Sequence, residues 1–130
     1  MNWLAIIVSV IINQALGFIW YSQIFGKAWM ASANRTPEQV HATNTPHIIA
    51  FIAAFLMAVG LSCLIRNQNA DNALKGAKVG LMSWLAFVGP VIAMHYTFLG
   101  FGWTTIAIDA FEQLAGMLVM GALLAVWRKK

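Results

Sequence analysis

Charged side chains are scarce in this sequence, at 9% of 130 residues, whereas hydrophobic residues make up 61%. A soluble domain carries about 25% charged residues, so the composition excludes that class and indicates an integral membrane protein. The net charge of +4 comes without a basic stripe interleaved with exposed aromatic residues, so we expect no nucleic-acid partner. The length is that of a single domain, which we expect to cover residues 1–130.

Cysteine is almost missing as well, because Cys63 is the only one. An intrachain disulfide is therefore excluded, and the apolar run around Cys63 predicts a buried, inert thiol. The sequence also lacks a P-loop, a dinucleotide-binding fingerprint and the His/Cys/carboxylate spacing of a zinc site. We accordingly expect no metal, no cofactor and no recognisable catalytic residue.

Four apolar stretches approach or exceed the roughly 20 residues that span the hydrocarbon of a bilayer. They predict an all-α integral membrane four-helix bundle, with helices at about 3–25, 46–66, 77–99 and 104–127. Residues 26–45 are expected to form a surface loop. Within it, the sequence Thr36-Pro37-Glu38-Gln39 is typical of a capping box and predicts a short helix.

The distribution of basic residues predicts the orientation. Only Lys27 and Arg35 fall on the side of the first loop. Six basic residues fall on the other side: Arg66, Lys75, Lys78, Arg128, Lys129 and Lys130. By the positive-inside rule, we expect a multi-pass protein of the cell membrane with both termini in the cytoplasm.

Two acids, Asp109 and Glu112, lie inside the last apolar stretch. A carboxylate at the bilayer centre costs at least about 2.5 kcal/mol, so intramembrane acids are rare and are usually functional. On a helical wheel they share a stripe with Gln113, while Asn13 lies on a comparable polar stripe of the first helix.

Residues 100–103 form a short link between the last two helices, so counting outward from it matches their depths. His95 then lies level with Asp109, and Tyr21 reaches a similar depth from the first helix. We predict a polar cluster of Tyr21, His95, Asp109 and Glu112 that opens to the non-cytoplasmic side. Gly89 and Pro90 should kink the third helix near Glu112. An alternative remains, in which Asp109 pairs with His95 and only ties the two helices together.

One string of residues resembles a known family. Trp20, Tyr21, Ser22, Phe25, Gly26, Lys27 and Trp29 form the pattern WYS…FGKAW. Together with Asn2-Trp3 and Ile108-Asp109-Ala110, this pattern resembles the domain of unknown function 1761 family of small four-helix membrane proteins. The resemblance implies the four-span topology and implies that Asp109 is a family position, but it carries no known activity. Glu112-Gln113 stands where the family tends to have Tyr-His, so the resemblance implies no role for Glu112 that the family shares and favours a role specific to this chain.

Three functions are consistent with the sequence. The first is a homo-oligomer that translocates protons, ions or a small solute, with Asp109 and Glu112 as the coupling acids. The second is a non-catalytic partner that stabilises or positions another membrane protein. The third is a membrane enzyme acting on a lipid or quinone, with His95 and Asp109 as acid and base.

Overall fold

The computed structural model describes residues 1–128, and within that range the chain is all helical with no β-strand. Lys129 and Lys130, which enter the orientation argument, lie outside the described residues. Four helices are long and apolar enough to cross a membrane: Trp3–Ile24, Thr45–Asn67, Ala73–Phe98 and Trp103–Val126. The all-helical class and the four apolar helices of membrane length are thereby confirmed.

Two of the four long helices contain a single π-helical turn. The helices are α1 (Trp3–Ile19), α2 (Gly26–Ala33), α3 (Pro37–Val40), α4 (Thr45–Asn67), α5 (Ala73–Ser83), α6 (Gly89–Phe98) and α7 (Trp103–Val126). The first π turn, Trp20–Ile24, continues α1, and the second, Trp84–Val88, joins α5 to α6. Such turns insert an extra residue into a helix and are frequent at functional sites.

The segment between the first two spans contains two short helices where the sequence predicts one. The capping box at the start of α3 is present, because the Thr36 hydroxyl accepts from the Gln39 N–H and the Gln39 side chain accepts from the Thr36 N–H. The additional helix, α2, ends at Asn34, whose φ of 56° is left-handed. Asparagine tolerates this conformation better than most residues, which stops the helix there.

α7 is the central helix of the bundle and contacts α1, α4, α5 and α6. At the end where α1 begins and α7 ends, called the inner end below, Asn2 Nδ2 donates to the Trp127 carbonyl at 2.7 Å. The apolar core lies toward this end and includes Ile6, Ala58 and Met120, each fully buried. At the opposite, outer end, residues 45–53 of α4 are exposed on every face.

Glycines bring the backbones of α5 and α7 together in the inner half. A Cβ on Gly76 would overlap the carbonyl oxygen of Gly121, and one on Gly80 would overlap that of Met117. Small residues that permit such close approach are typical of helix association in lipid.

The expected burial of Cys63 is wrong, because the structure exposes this side chain. α4 turns its small residues Ala54 and Ala58 toward the bundle, and Cys63 lies on another face of the helix. Hydrophobicity alone could not show this, since α4 is apolar on all sides.

Candidate functional site

Two acidic side chains are buried next to each other in the outer half of α7. Asp109 is 8% exposed and Glu112 is 5% exposed, and their spacing of three residues places them on one face of the helix. In residues 1–128 no basic side chain pairs with either acid, and the single ion pair joins Lys75 to Asp71 at the exposed inner end. Two uncompensated carboxyl groups therefore share a buried site.

Tyr21 connects α1 to this site, because its hydroxyl donates a hydrogen bond to Asp109 Oδ1. The first π turn helps to position it: the Phe25 N–H bonds to the Trp20 carbonyl five residues back, at 2.8 Å. In the same turn Trp20 Nε1 donates to the Ile108 carbonyl of α7 at 3.1 Å. The neighbouring residues Trp20 and Tyr21 thus hold the end of the first long helix against α7 at Ile108 and Asp109.

The rest of the WYS…FGKAW string supports this arrangement. A Cβ on Gly26 would overlap the carbonyl oxygen of Tyr21, so only glycine fits where the chain turns into α2. The Trp29 ring meets Tyr21 edge-on, with ring centroids 5.9 Å apart, and Phe25 packs on Trp20 with centroids 4.9 Å apart. The string is therefore a folding unit that brings Tyr21 to Asp109.

The two remaining residues of that string do not reach the acids. Ser22 is exposed and donates to the Phe18 carbonyl within its own helix. Lys27 is exposed at the outer end.

Glu112 lies against a glycine of α1. Its Oε2 accepts from Gln113 Nε2 at 3.0 Å, and its Oε1 lies 3.4 Å from where a Cβ on Gly17 would be. One turn further inward the relation is reversed, because Asn13 Oδ1 of α1 occupies the space beside Gly116 of α7. We call this contact the α1–α7 seam, formed by Ser9, Asn13, Gly17, Tyr21, Asp109, Glu112 and Gly116.

His95 does not join the cluster, so its predicted place beside Asp109 is wrong. The side chain is exposed, and among the described residues no ion pair or hydrogen bond links it to Asp109. The neighbouring residue Tyr96 is half-buried and lies beside the Asp109 carboxyl group instead. Counting residues fixed the depth of His95, but each residue turns the helix by about 100°, so the adjacent side chain faces α7.

Gly89 and Pro90 begin α6, immediately after the second π turn. The Gly89 N–H bonds to the Trp84 carbonyl five residues back, and Pro90 has no N–H to continue the α-helical pattern. The Trp84 ring packs on Gly89, where a Cβ would lie 3.0 Å from the ring, and its Nε1 donates to the Ala110 carbonyl at 2.8 Å.

Sequence reasoning missed three contributors to this region: Tyr96, Trp84 and the hydrogen bond from the Thr105 hydroxyl to the Ser32 hydroxyl at 2.7 Å. Trp84 carried a usable signal. An indole N–H in the middle of an apolar span needs an acceptor, and a helix carbonyl of a neighbour is the nearest one.

The opposite face of α7 has a different character. A groove of about 480 Å³ runs along it, and its lining includes Trp20, Phe25, Ala107, Phe111 and Leu118. The groove is apolar and does not include Asp109 or Glu112, so it is separate from the site of the acids.

The chemistry available at the acids is that of carboxyl, phenol and amide groups. Among residues 1–128 there is no group of three or more His, Cys, Asp or Glu side chains that could hold a metal ion. The arrangement can bind and release protons and can offer hydrogen bonds to a small polar solute.

Comparison with known proteins gives one match. A family model described as "Protein of unknown function (DUF1761)" matches residues 4–125, nearly the whole chain, which confirms the resemblance noted from the WYS…FGKAW string. No curated protein and no solved structure matches the chain.

Proposed function

The chain belongs to the DUF1761 family of proteins of unknown function, and from this premise we propose that it translocates protons, or an ion or small solute coupled to them. Asp109 and Glu112 are the groups that bind and release the proton. One observation carries the proposal: two adjacent carboxyl groups are buried in an apolar helix of membrane length without a cationic partner among the described residues.

Such a pair is costly as a purely structural device. A buried charge is normally paired, and a pair of like groups gains nothing from mutual attraction. Asp109 accepts a hydrogen bond from Tyr21 of another helix, whereas Glu112 accepts one only from Gln113, the next residue of α7. Glu112 is therefore the better candidate for the exchanging group, and Asp109 for its fixed neighbour.

We further propose that the four apolar helices are inserted in the cell membrane with both termini in the cytoplasm. The inner end carries Arg66, Lys75, Lys78 and Arg128, while the outer end carries Lys27 and Arg35. The positive-inside rule supports this orientation, and it places the acids in the half away from the cytoplasm.

Translocation also calls for a homo-oligomer. Four helices enclose little volume, and the inner half of this bundle is filled by the core and the glycine contacts. We propose that two or more copies together complete the path.

A partner protein is the second candidate, and one observation favours it. Residues 45–53 of α4 form a helical segment that no other described part of the chain covers. A helix of another membrane protein could pack there. The enzyme hypothesis loses its geometric basis, because His95 is exposed and apart from Asp109.

Proton flux into liposomes loaded with a pH-sensitive dye tests the proposal. We expect flux for the intact protein and its loss in Glu112→Gln and Asp109→Asn. His95→Gln is the matched control, since it changes an exposed polar residue at the depth of Asp109, and it should keep full flux. If the folded, intact protein carries no flux, proton translocation is refuted and the partner hypothesis is favoured.

A further inference from the structure

The α1–α7 seam continues inward beyond the acids as polar groups that lack protein partners. Ser9, one turn inward of Asn13, is 1% exposed, and its Oγ has no hydrogen-bond partner in the described part of the chain. Asn13 is half-buried, and its side chain likewise makes no hydrogen bond within residues 1–128. Further outward along the seam lies Glu112 Oε1, which is 3.4 Å from where a Cβ on Gly17 would be.

Burying a polar group without a hydrogen bond lowers the stability of the folded protein. A buried hydroxyl without a hydrogen bond costs about 1–3 kcal/mol, and in native proteins more than about 90% of buried polar groups have a partner, from protein or ordered water. The cost applies here to the Ser9 hydroxyl, which is buried and has no hydrogen-bond partner among the described residues.

The surrounding side chains cannot supply the missing partners. The other buried residues of α1 are Ala5, Ile6 and Val10, which are all apolar. None of these carries a hydrogen-bond donor or acceptor of useful strength on its side chain. Ser9 Oγ also makes no hydrogen bond to a carbonyl of its own helix, unlike Ser22 and Ser83. A partner from outside the chain is therefore needed, and water is the smallest molecule that can serve.

We propose that the α1–α7 seam binds a file of water molecules from Glu112 past Asn13 to Ser9. From Tyr21 to Ser9 the seam extends for about 18 Å along α1, more than half of the ~30 Å hydrocarbon thickness. If the proposed proton function holds, this file forms the part of the proton path that leads from Glu112 toward the inner end. That part of the path then runs along the contact between α1 and α7, not through the centre of the bundle. The water binding itself does not depend on that function.

Silver ions test the hydration directly, because Ag⁺ is a small aqueous cation that reacts with thiolates. The background is Cys63→Ser, which removes the only native thiol. Ser9→Cys changes a hydroxyl to a thiol of similar size, and Val10→Cys is the matched control, since Val10 is also 1% exposed but is part of the apolar core. The readout is the loss of maleimide labelling in SDS after exposure of the folded protein to Ag⁺.

We expect Ag⁺ to block the maleimide labelling of Ser9→Cys at least about tenfold faster than that of Val10→Cys. The reason is that a buried thiol in apolar surroundings without water is inert. Equal, slow rates at the two positions would overturn the proposal. Thermal unfolding of Ser9→Ala provides a second measurement. A lowered melting temperature agrees with a water-bound hydroxyl, whereas a raised one shows that the hydroxyl was dry and overturns it.

The two proposals fail in different ways. If Ag⁺ reaches Ser9→Cys but the intact protein carries no proton flux, the hydration stands and proton translocation fails. If flux requires Glu112 but Ser9→Cys stays unreactive, translocation stands and the part of its path toward the inner end lies elsewhere.

Discussion

The inner and outer halves of α7 are held to their neighbours by different means. In the inner half, Gly76 and Gly80 of α5 bring the backbone of that helix against Gly121 and Met117. In the outer half, hydrogen bonds from Trp20, Tyr21 and Trp84 hold the neighbouring segments. Lipid tails are as apolar as leucine, so helices there associate through close packing or polar contacts. This one helix uses both, in separate halves.

The difference matters for function. The contacts at Gly76 and Gly80 leave no space for an added Cβ, so they suit a fixed joint. A polar contact can exchange partners, so it suits a place where protons or solutes bind. The acids, the two π turns and the uncovered segment 45–53 all lie away from the glycine joint. We therefore expect the inner half to determine stability and the outer half to determine activity.

The largest effect should come from breaking the glycine joint. Gly80→Ala places a Cβ against the Met117 carbonyl, and such overpacking costs roughly 1–3 kcal/mol. Gly60→Ala is the matched control, because a Cβ there meets nothing within 4 Å, and the better helix propensity of alanine should stabilise it by up to about 1 kcal/mol. The free energy of unfolding in detergent is measured for both variants. Equal values would show that the close contact between α5 and α7 does not contribute to stability.

A smaller loss should follow from removing the Tyr21–Asp109 hydrogen bond. A double-mutant cycle of Tyr21→Phe and Asp109→Asn should give a coupling of about 1.5 kcal/mol in unfolding experiments. The parallel cycle of His95→Ala and Asp109→Asn should be additive within about 0.5 kcal/mol. A coupling energy between Asp109 and His95, with none between Asp109 and Tyr21, would contradict the structure and support the pairing that the sequence predicts.

The indole hydrogen bonds to α7 provide a further test of how the outer half is held together. Trp84→Phe and Trp20→Phe each remove one donor to an α7 carbonyl, and each should cost about 1 kcal/mol of unfolding free energy. Trp103→Phe is the control, because Trp103 is 73% exposed, and it should change stability by less than about 0.5 kcal/mol. A loss at Trp103 equal to the others would mean that the indole bonds contribute nothing.

The smallest effect concerns the exposed ion pair at the inner end. The hydrogen bond and charge of Lys75 hold the pKa of Asp71 below its ordinary value of 3.8. Because the folded-state pKa is the lower one, the stabilisation is present above pH 3.8 and is lost as the pH falls through the folded-state pKa. Melting temperatures of the intact protein and Asp71→Asn should therefore differ slightly at pH 7 and converge as the pH falls below the folded-state pKa of Asp71. A difference that grows on acidification would contradict this sign.

Sequence reasoning predicted what depends on composition and on local spacing. Four long apolar runs predict four long helices, because backbone polar groups in lipid must be satisfied within the helix. The capping box at Thr36 was likewise local, and so was the placement of Asp109 and Glu112 on one face of α7.

The errors concern which way a helix faces. The sequence predicts a buried Cys63, but this side chain is exposed. It also predicts His95 beside Asp109, but His95 is exposed and Tyr96 lies there instead. In a soluble protein, a polar face shows which side meets water. α4 and α6 are apolar nearly all round, so their sequences hold little information about rotation.

By itself, then, the sequence determined the number, length and apolar character of the spans and the presence of two acids within one of them, since these follow from the hydrophobicity of successive residues. Only the tertiary structure decided which side chains meet. The rotation of each helix depends on close contacts, such as Gly80 on Met117 and Asn13 on Gly116, between residues far apart in the chain. The first π turn contains Tyr21, and the second shifts the facing of the residues that follow it, Tyr96 among them. That both side chains meet Asp109 is visible only once α7 is packed against both segments.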